Sequence, residues 1–100
     1  MNGISFDTHR EAVALICKRY GVRELSAFGS AVTGAFSETS DIDLLVEFQP
    51  DARIGFIALA RMQRELSALF KRDVDLVPKS GLRPAIRQEV LANTELLYAA

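Results

Sequence analysis

Apolar residues recur along this chain in two rhythms. Val13, Ile16, Cys17 and Tyr20 fall at the spacing of one helix face. Thr8 and Glu11 are placed as a capping box and Gly21 can end the helix, so a helix is predicted over about residues 8–20. Val22 to Phe28 is short and β-compatible and stops at Gly29-Ser30, after which Ala31 to Ala35 has room for about one helical turn. Ser37 to Ser40 is polar and loop-like. It opens into Ile42-Asp43-Leu44-Leu45-Val46-Glu47-Phe48, a strand closed by Pro50.

The helical rhythm returns over about residues 54–71. There Leu59, Met62, Leu66, Leu69 and Phe70 form an apolar stripe, and Arg61, Arg64, Glu65 and Lys71 are expected to face water. Val74 to Val77 is a short strand stopped by Pro78, Pro84 suits the first turn of a helix reaching about Ala92, and Glu95 to Tyr98 adds an edge strand. The order α, β, short α, β, α, β, α, β predicts an α/β (α+β) fold, a small mixed sheet with helices packed on it. With 100 residues and no repeat or linker, one domain over residues 1–100 is expected.

Composition narrows the function. The chain is 49% apolar and 25% charged, which excludes disorder as the main reading. Lys and Arg number 12 against 13 Asp and Glu, a net charge of −1, so no general attraction to nucleic acid or an anionic membrane is expected. No apolar run approaches the ~20 residues of a membrane span, and Met1 to Arg10 lacks the order of a signal peptide, so a cytoplasmic location is expected. One cysteine and one histidine make neither a disulfide nor a Cys/His zinc site, so any metal must sit on oxygen ligands. Cys17 reads as a buried small hydrophobe and His9 as a solvated residue of the first helical turn.

The chemistry gathers at Gly29-Ser30, Asp41-Ile42-Asp43 and Asp75. Residues i and i+2 of a strand share a face, so Asp41 and Asp43 aim together while Ile42 and Leu44 point into the core. If the strand carrying Asp75 lies beside the strand carrying Asp43, a third carboxylate joins them. Like charges at 4 Å repel by about 4 kcal/mol at an effective dielectric near 20, and a divalent cation offsets that cost. Carboxylate and water oxygens suit Mg²⁺ or Mn²⁺ with a triphosphate as co-ligand. Gly29 permits close backbone approach to a phosphate, and Ser30 adds a hydroxyl at the start of the short helix.

Gly29-Ser30, ten further residues, Asp41-x-Asp43 and the later Val74-Asp75-Leu76-Val77 resemble the nucleotidyltransferase superfamily of the DNA polymerase β type. Phe28 to Gly34, Ser40 to Val46 and Leu82 to Arg87 resemble its minimal nucleotidyltransferases, stand-alone domains of about this length, so the likeness covers nearly the whole chain. The resemblance implies an enzyme moving AMP from ATP onto a tyrosine of a HEPN-type ribonuclease toxin, as its antitoxin. Carried over, Asp41 and Asp43 would hold two Mg²⁺ ions, Asp75 would complete the shell of the catalytic metal, and Gly29 and Ser30 would hold the β and γ phosphates. Many members carry Arg before the second glycine of the loop. Thr33 stands before Gly34 here, which predicts weaker triphosphate or partner binding. Lys79, Arg83 and Arg87 are candidate sources of positive charge.

Three other readings compete: a nucleotidyltransferase for a small molecule, a non-catalytic module that neutralises a toxin sterically, and a nucleic-acid polymerase. Only 25 residues follow Asp75, so an acceptor pocket is expected to come from another chain. A net charge of −1 offers nothing to hold a primer.

Overall fold

In the computed structural model, residues 6–29, 41–82 and 84–100 are described. Ser30, the short helix expected at Ala31–Ala35, Thr33-Gly34, the loop at Ser37–Ser40 and Arg83 lie outside these residues, as does the side chain of Arg87.

A 3-10 turn, Phe6–His9, leads into α1, Arg10–Arg19. Strands β1, Val22–Phe28, and β2, Ile42–Phe48, have the bounds that hydrophobic alternation predicts. Helix α2, Phe56–Phe70, precedes β3, Val74–Pro78, and a 3-10 turn, Lys79–Gly81. Helix α3, Pro84–Ala92, and strand β4, Glu95–Ala99, follow. The four strands form one mixed sheet in the order β3-β2-β1-β4, in which β2 and β3 run parallel and the other pairs antiparallel. The crossover between the parallel strands is α2, as such a connection requires.

Alternation decides which face of the sheet is covered. Ile42, Leu44 and Val46 of β2, Leu25 and Ala27 of β1, and Val74 and Leu76 of β3 join one core with Val13, Ile16 and Cys17 of α1 and Met62, Leu66 and Phe70 of α2. The residues at i, i+3 and i+4 on α1 are thus the ones buried, as the apolar stripe demands. Cys17 has no exposed surface, and burial pushes its thiol pKa up to about 12, so it serves as a small hydrophobe.

The start of α1 differs from expectation. Its N-cap is His9, without a side-chain cap, because Thr8 lies within the 3-10 turn, where Asp7 pairs with Arg10 at 2.7 Å. His9 is half-buried rather than solvated and meets the Phe70 ring edge-on, centroids 5.2 Å apart. Helix α2 starts at Phe56 rather than 54, because the extended backbone of Gly55 cannot continue a helix. It stops where Lys71 turns left-handed, φ 56°, and the Arg72 N–H reaches the Ser67 carbonyl at 3.2 Å. Glu65 does not simply face water. It accepts from the Tyr20 hydroxyl and from Arg19, clasping α1 to α2.

Both sheet edges are closed by helix side chains. The outward N–H groups of Val74 and Leu76 on β3 donate to Ser67 Oγ at 3.0 Å and Gln63 Oε1 at 2.9 Å. On β4, the carbonyls of Leu96 and Leu97 accept from Arg10, each at 3.3 Å.

Candidate active site

The face of the sheet away from α1 and α2 carries the acids. Asp43 of β2 lies directly opposite Asp75 in the parallel ladder, and opposite Phe28 in the antiparallel one. Asp41 precedes β2 and is exposed, Asp43 is half-buried and Asp75 is exposed. The adjacent N–H of Ile42 donates to the Asp73 carbonyl at 2.9 Å, which fixes the entry of both strands side by side. The expected neighbourhood of Asp41, Asp43 and Asp75 is therefore set by strand order and register.

Electrostatics mark Asp43 as its centre. Its carboxyl is held above the ordinary range first by burial, then by the negative charges of Asp75 and Asp41. Gly29 ends β1 with φ 72°, and a Cβ there would stand 2.7 Å from Asp43 Oδ2. Only a glycine lets the backbone pass this close to the carboxylate, and it does so in a left-handed conformation that other residues adopt at a cost of roughly 1–2 kcal/mol.

Hard oxygen donors of this kind suit Mg²⁺ or Mn²⁺. Among the described residues no three His, Cys, Asp or Glu side chains form a ready-made cage. Asp43 and Asp75 still fit such an ion, because Mg²⁺ keeps several waters and needs only one or two protein carboxylates beside phosphate oxygens.

Lys79 is not brought to these acids. It pairs with Glu47 at 3.5 Å beside an open hollow of about 330 Å³ walled by Phe48 and Pro78. Glu47 lies four residues beyond Asp43 on β2, ~13 Å along the strand. Neither the Glu47–Lys79 pair nor Phe28 beside Asp43 stood out in the sequence, because each is created by strand pairing between distant segments.

Residues 9–97 match the nucleotidyltransferase domain family. The chain belongs to that family. This nucleotidyltransferase is 43% identical over 82 residues to the protein adenylyltransferase MntA of Thermococcus cleftensis, an alignment covering 81% of this chain and 78% of that protein. Among solved structures it resembles a toxin–antitoxin complex with AMP-PNP at TM-score 0.74 and 22% identity, covering 91% of this chain and 73% of that one. It also resembles a structure of the tri-AMPylated Shewanella oneidensis HEPN toxin with its MNT antitoxin, at TM-score 0.70 and 18% identity, covering 96% and 74%. At these identities the two structures establish the nucleotidyltransferase fold. No helix among the described residues is long and apolar enough to cross a membrane.

Proposed function

We propose that this nucleotidyltransferase moves AMP from ATP onto a protein hydroxyl, a tyrosine of a HEPN-type toxin, and so acts as an antitoxin. The observation that carries this reading is the Asp43–Asp75 register with the Gly29 backbone pressed against Asp43. A paired acid site beside a close-approach glycine has the chemistry to receive a metal-bound triphosphate. The MntA relative, itself a protein adenylyltransferase, supports AMP as the transferred group and protein as its acceptor.

In this reading Asp41, Asp43 and Asp75 hold Mg²⁺, with Mn²⁺ as a substitute, and Gly29 with Ser30 holds the β and γ phosphates. The bound metal supplies neutralisation of charge on the phosphate oxygens. The acceptor hydroxyl oxygen forms a new bond to the α phosphorus and the bond to the bridging oxygen breaks, so pyrophosphate leaves. The hydroxyl proton passes to the Asp75 carboxylate, which is exposed at the sheet edge and open to an incoming side chain. Catalysis consists chiefly of positioning and charge neutralisation. We further infer one domain over residues 1–100, acting in the cytoplasm without membrane or nucleic-acid contact, with an acceptor site completed by the partner.

The test is the intact mass of a HEPN-type protein from the neighbouring gene after incubation with this protein, ATP and Mg²⁺. Gains in whole AMP units are expected with the wild type and none over the same reaction time with Asp41→Asn or Asp43→Asn. A stable complex without any mass gain would replace the enzymatic reading with steric neutralisation. Turnover of a free small-molecule acceptor would replace it with the small-molecule reading.

A further inference from the structure

Charge is segregated between the layers. Helices α1 and α2 carry five cations, Arg10, Lys18, Arg19, Arg61 and Arg64, against two acids, Glu11 and Glu65. The four strands carry one cation, Arg23, against Glu24, Asp43, Glu47, Asp75 and Glu95. The helical layer is thus basic in a chain whose net charge is −1.

That layer also exposes apolar surface. Leu15 on α1 is 65% exposed, and it borders an open trough of about 470 Å³ with Ile16, Ala68 and Leu69, closed at one end by the Arg19–Glu65 pair. Phe56 and Ile57, at the start of α2, are 90% and 77% exposed. On α2 the positions Ile57, Arg61, Arg64 and Ala68 follow one another at intervals of three and four, so they form one outward stripe. Its apolar ends are separated by ~16 Å, three helical turns. Among the described residues Lys18, Arg61 and Arg64 form no salt bridge with an acid.

We propose that this outer face of α1 and α2 docks an acidic amphipathic helix of a partner protein. The proposal rests on the reading that the acceptor is a protein. Apolar anchors at both ends of a three-turn stripe match the spaced anchors of a helix lying in a groove. The cations between and beside them match acidic flanks. A second copy of this chain meeting the surface through the same face would bring the same cations and be repelled. Because the face lies across the sheet from Asp43 and Asp75, the docked helix leaves the acids open to a hydroxyl from another part of the partner.

The probe is a labelled four-turn peptide with leucine at every third or fourth position and glutamate on its flanks, beside a twin with lysine for glutamate. Fluorescence anisotropy with the full chain should show the acidic peptide binding at least about tenfold more tightly than the twin, a preference that falls with salt. Arg61→Glu with Arg64→Glu should reverse the preference, and Leu15→Asp should weaken the acidic peptide about tenfold or more. Leu15 is exposed, so circular dichroism should report an unchanged fold for that variant. Failure to bind the acidic peptide, equal binding of the twins, or indifference to Leu15→Asp overturns the docking surface. The peptide assay needs no ATP and no acceptor. AMP transfer without peptide binding therefore condemns the dock alone, and peptide binding without transfer condemns the chemistry alone.

Discussion

The two faces of β2 are built from alternate residues of a single heptapeptide and obey opposite rules. Ile42, Leu44 and Val46 lie against two helices and have almost no exposed surface, while on the reverse Asp43 and Glu47 stay partly open to solvent on either side of the buried Leu45. On the first face every contact lowers the free energy of the folded chain. On the second, Asp43 is set beside Asp75 where burial and like charge disfavour its ionised form. The continuous apolar run is thus placed on one side of the strand, and the unfavourable charge that a polyphosphate site requires on the other, where Leu45 alone is buried between the two acids. A strand buried on one side can hold such charge because its backbone is fixed from behind.

The sharpest break in this contrast is Asp43→Asn, which should reduce AMP transfer on the order of a hundredfold to a thousandfold, read by intact-mass kinetics. The same variant should melt at least as high as the wild type. Asp43 has a raised pKa in the folded state, so protonation favours folding and stability rises as pH falls through that pKa; asparagine mimics the protonated form. A marked fall in its melting temperature would show that the carboxylate holds the fold together instead of burdening it.

Leu44→Ala, one residue away, should do the reverse. It deletes a fully buried side chain at a cost of about 2–5 kcal/mol, seen as a large drop in the urea midpoint, while transfer below that transition persists. Gly29→Ala couples the two faces more weakly. It meets Asp43 Oδ2 and a left-handed backbone, so a loss of about 1–2 kcal/mol should accompany at least a several-fold fall in transfer.

The smallest expected effect lies in the helical layer. Tyr20→Phe removes the hydrogen bond to Glu65 and should cost about 0.5–1.5 kcal/mol in urea unfolding at neutral pH. Glu65 has a lowered pKa in the folded state, chiefly through Tyr20. The stability it contributes is therefore present above the ordinary glutamate value of 4.5 and is lost as pH falls through the lower folded value. The gap between wild type and Tyr20→Phe should narrow on acidification through that window, and a gap independent of pH would remove Glu65 from the account.

Alternation and helical spacing were enough to read both central strands to the residue, and to assign Ile42 and Leu44 to the core and Asp43 to the other face. Period-two patterning encodes which face a residue occupies, but not which strand lies beside it. The Asp43–Asp75 register could therefore be read only as a condition, to be met if the two strands were neighbours. The Glu65–Tyr20 clasp and the Glu47–Lys79 pair join residues far apart in sequence, and local patterning carries no information about such partners. The helix start expected at Thr8 moved for a local reason, since a 3-10 turn displaced it by two residues.

The side chains that seal the sheet have a bearing on how this protein survives at high concentration. A four-stranded sheet has two open ladders, each able to recruit the strand of another molecule and so to propagate. Here Gln63 and Ser67 occupy donors of β3, and Arg10 occupies acceptors of β4, whose Glu-Leu-Leu-Tyr-Ala sequence offers little charge of its own to discourage stacking. Arg10 also belongs to the first turn of α1, so the guard on β4 exists only once that helix has formed. Self-templated assembly through the β4 edge is thereby held off by a single guanidinium, and that edge stands unguarded until the first helix of the chain is in place.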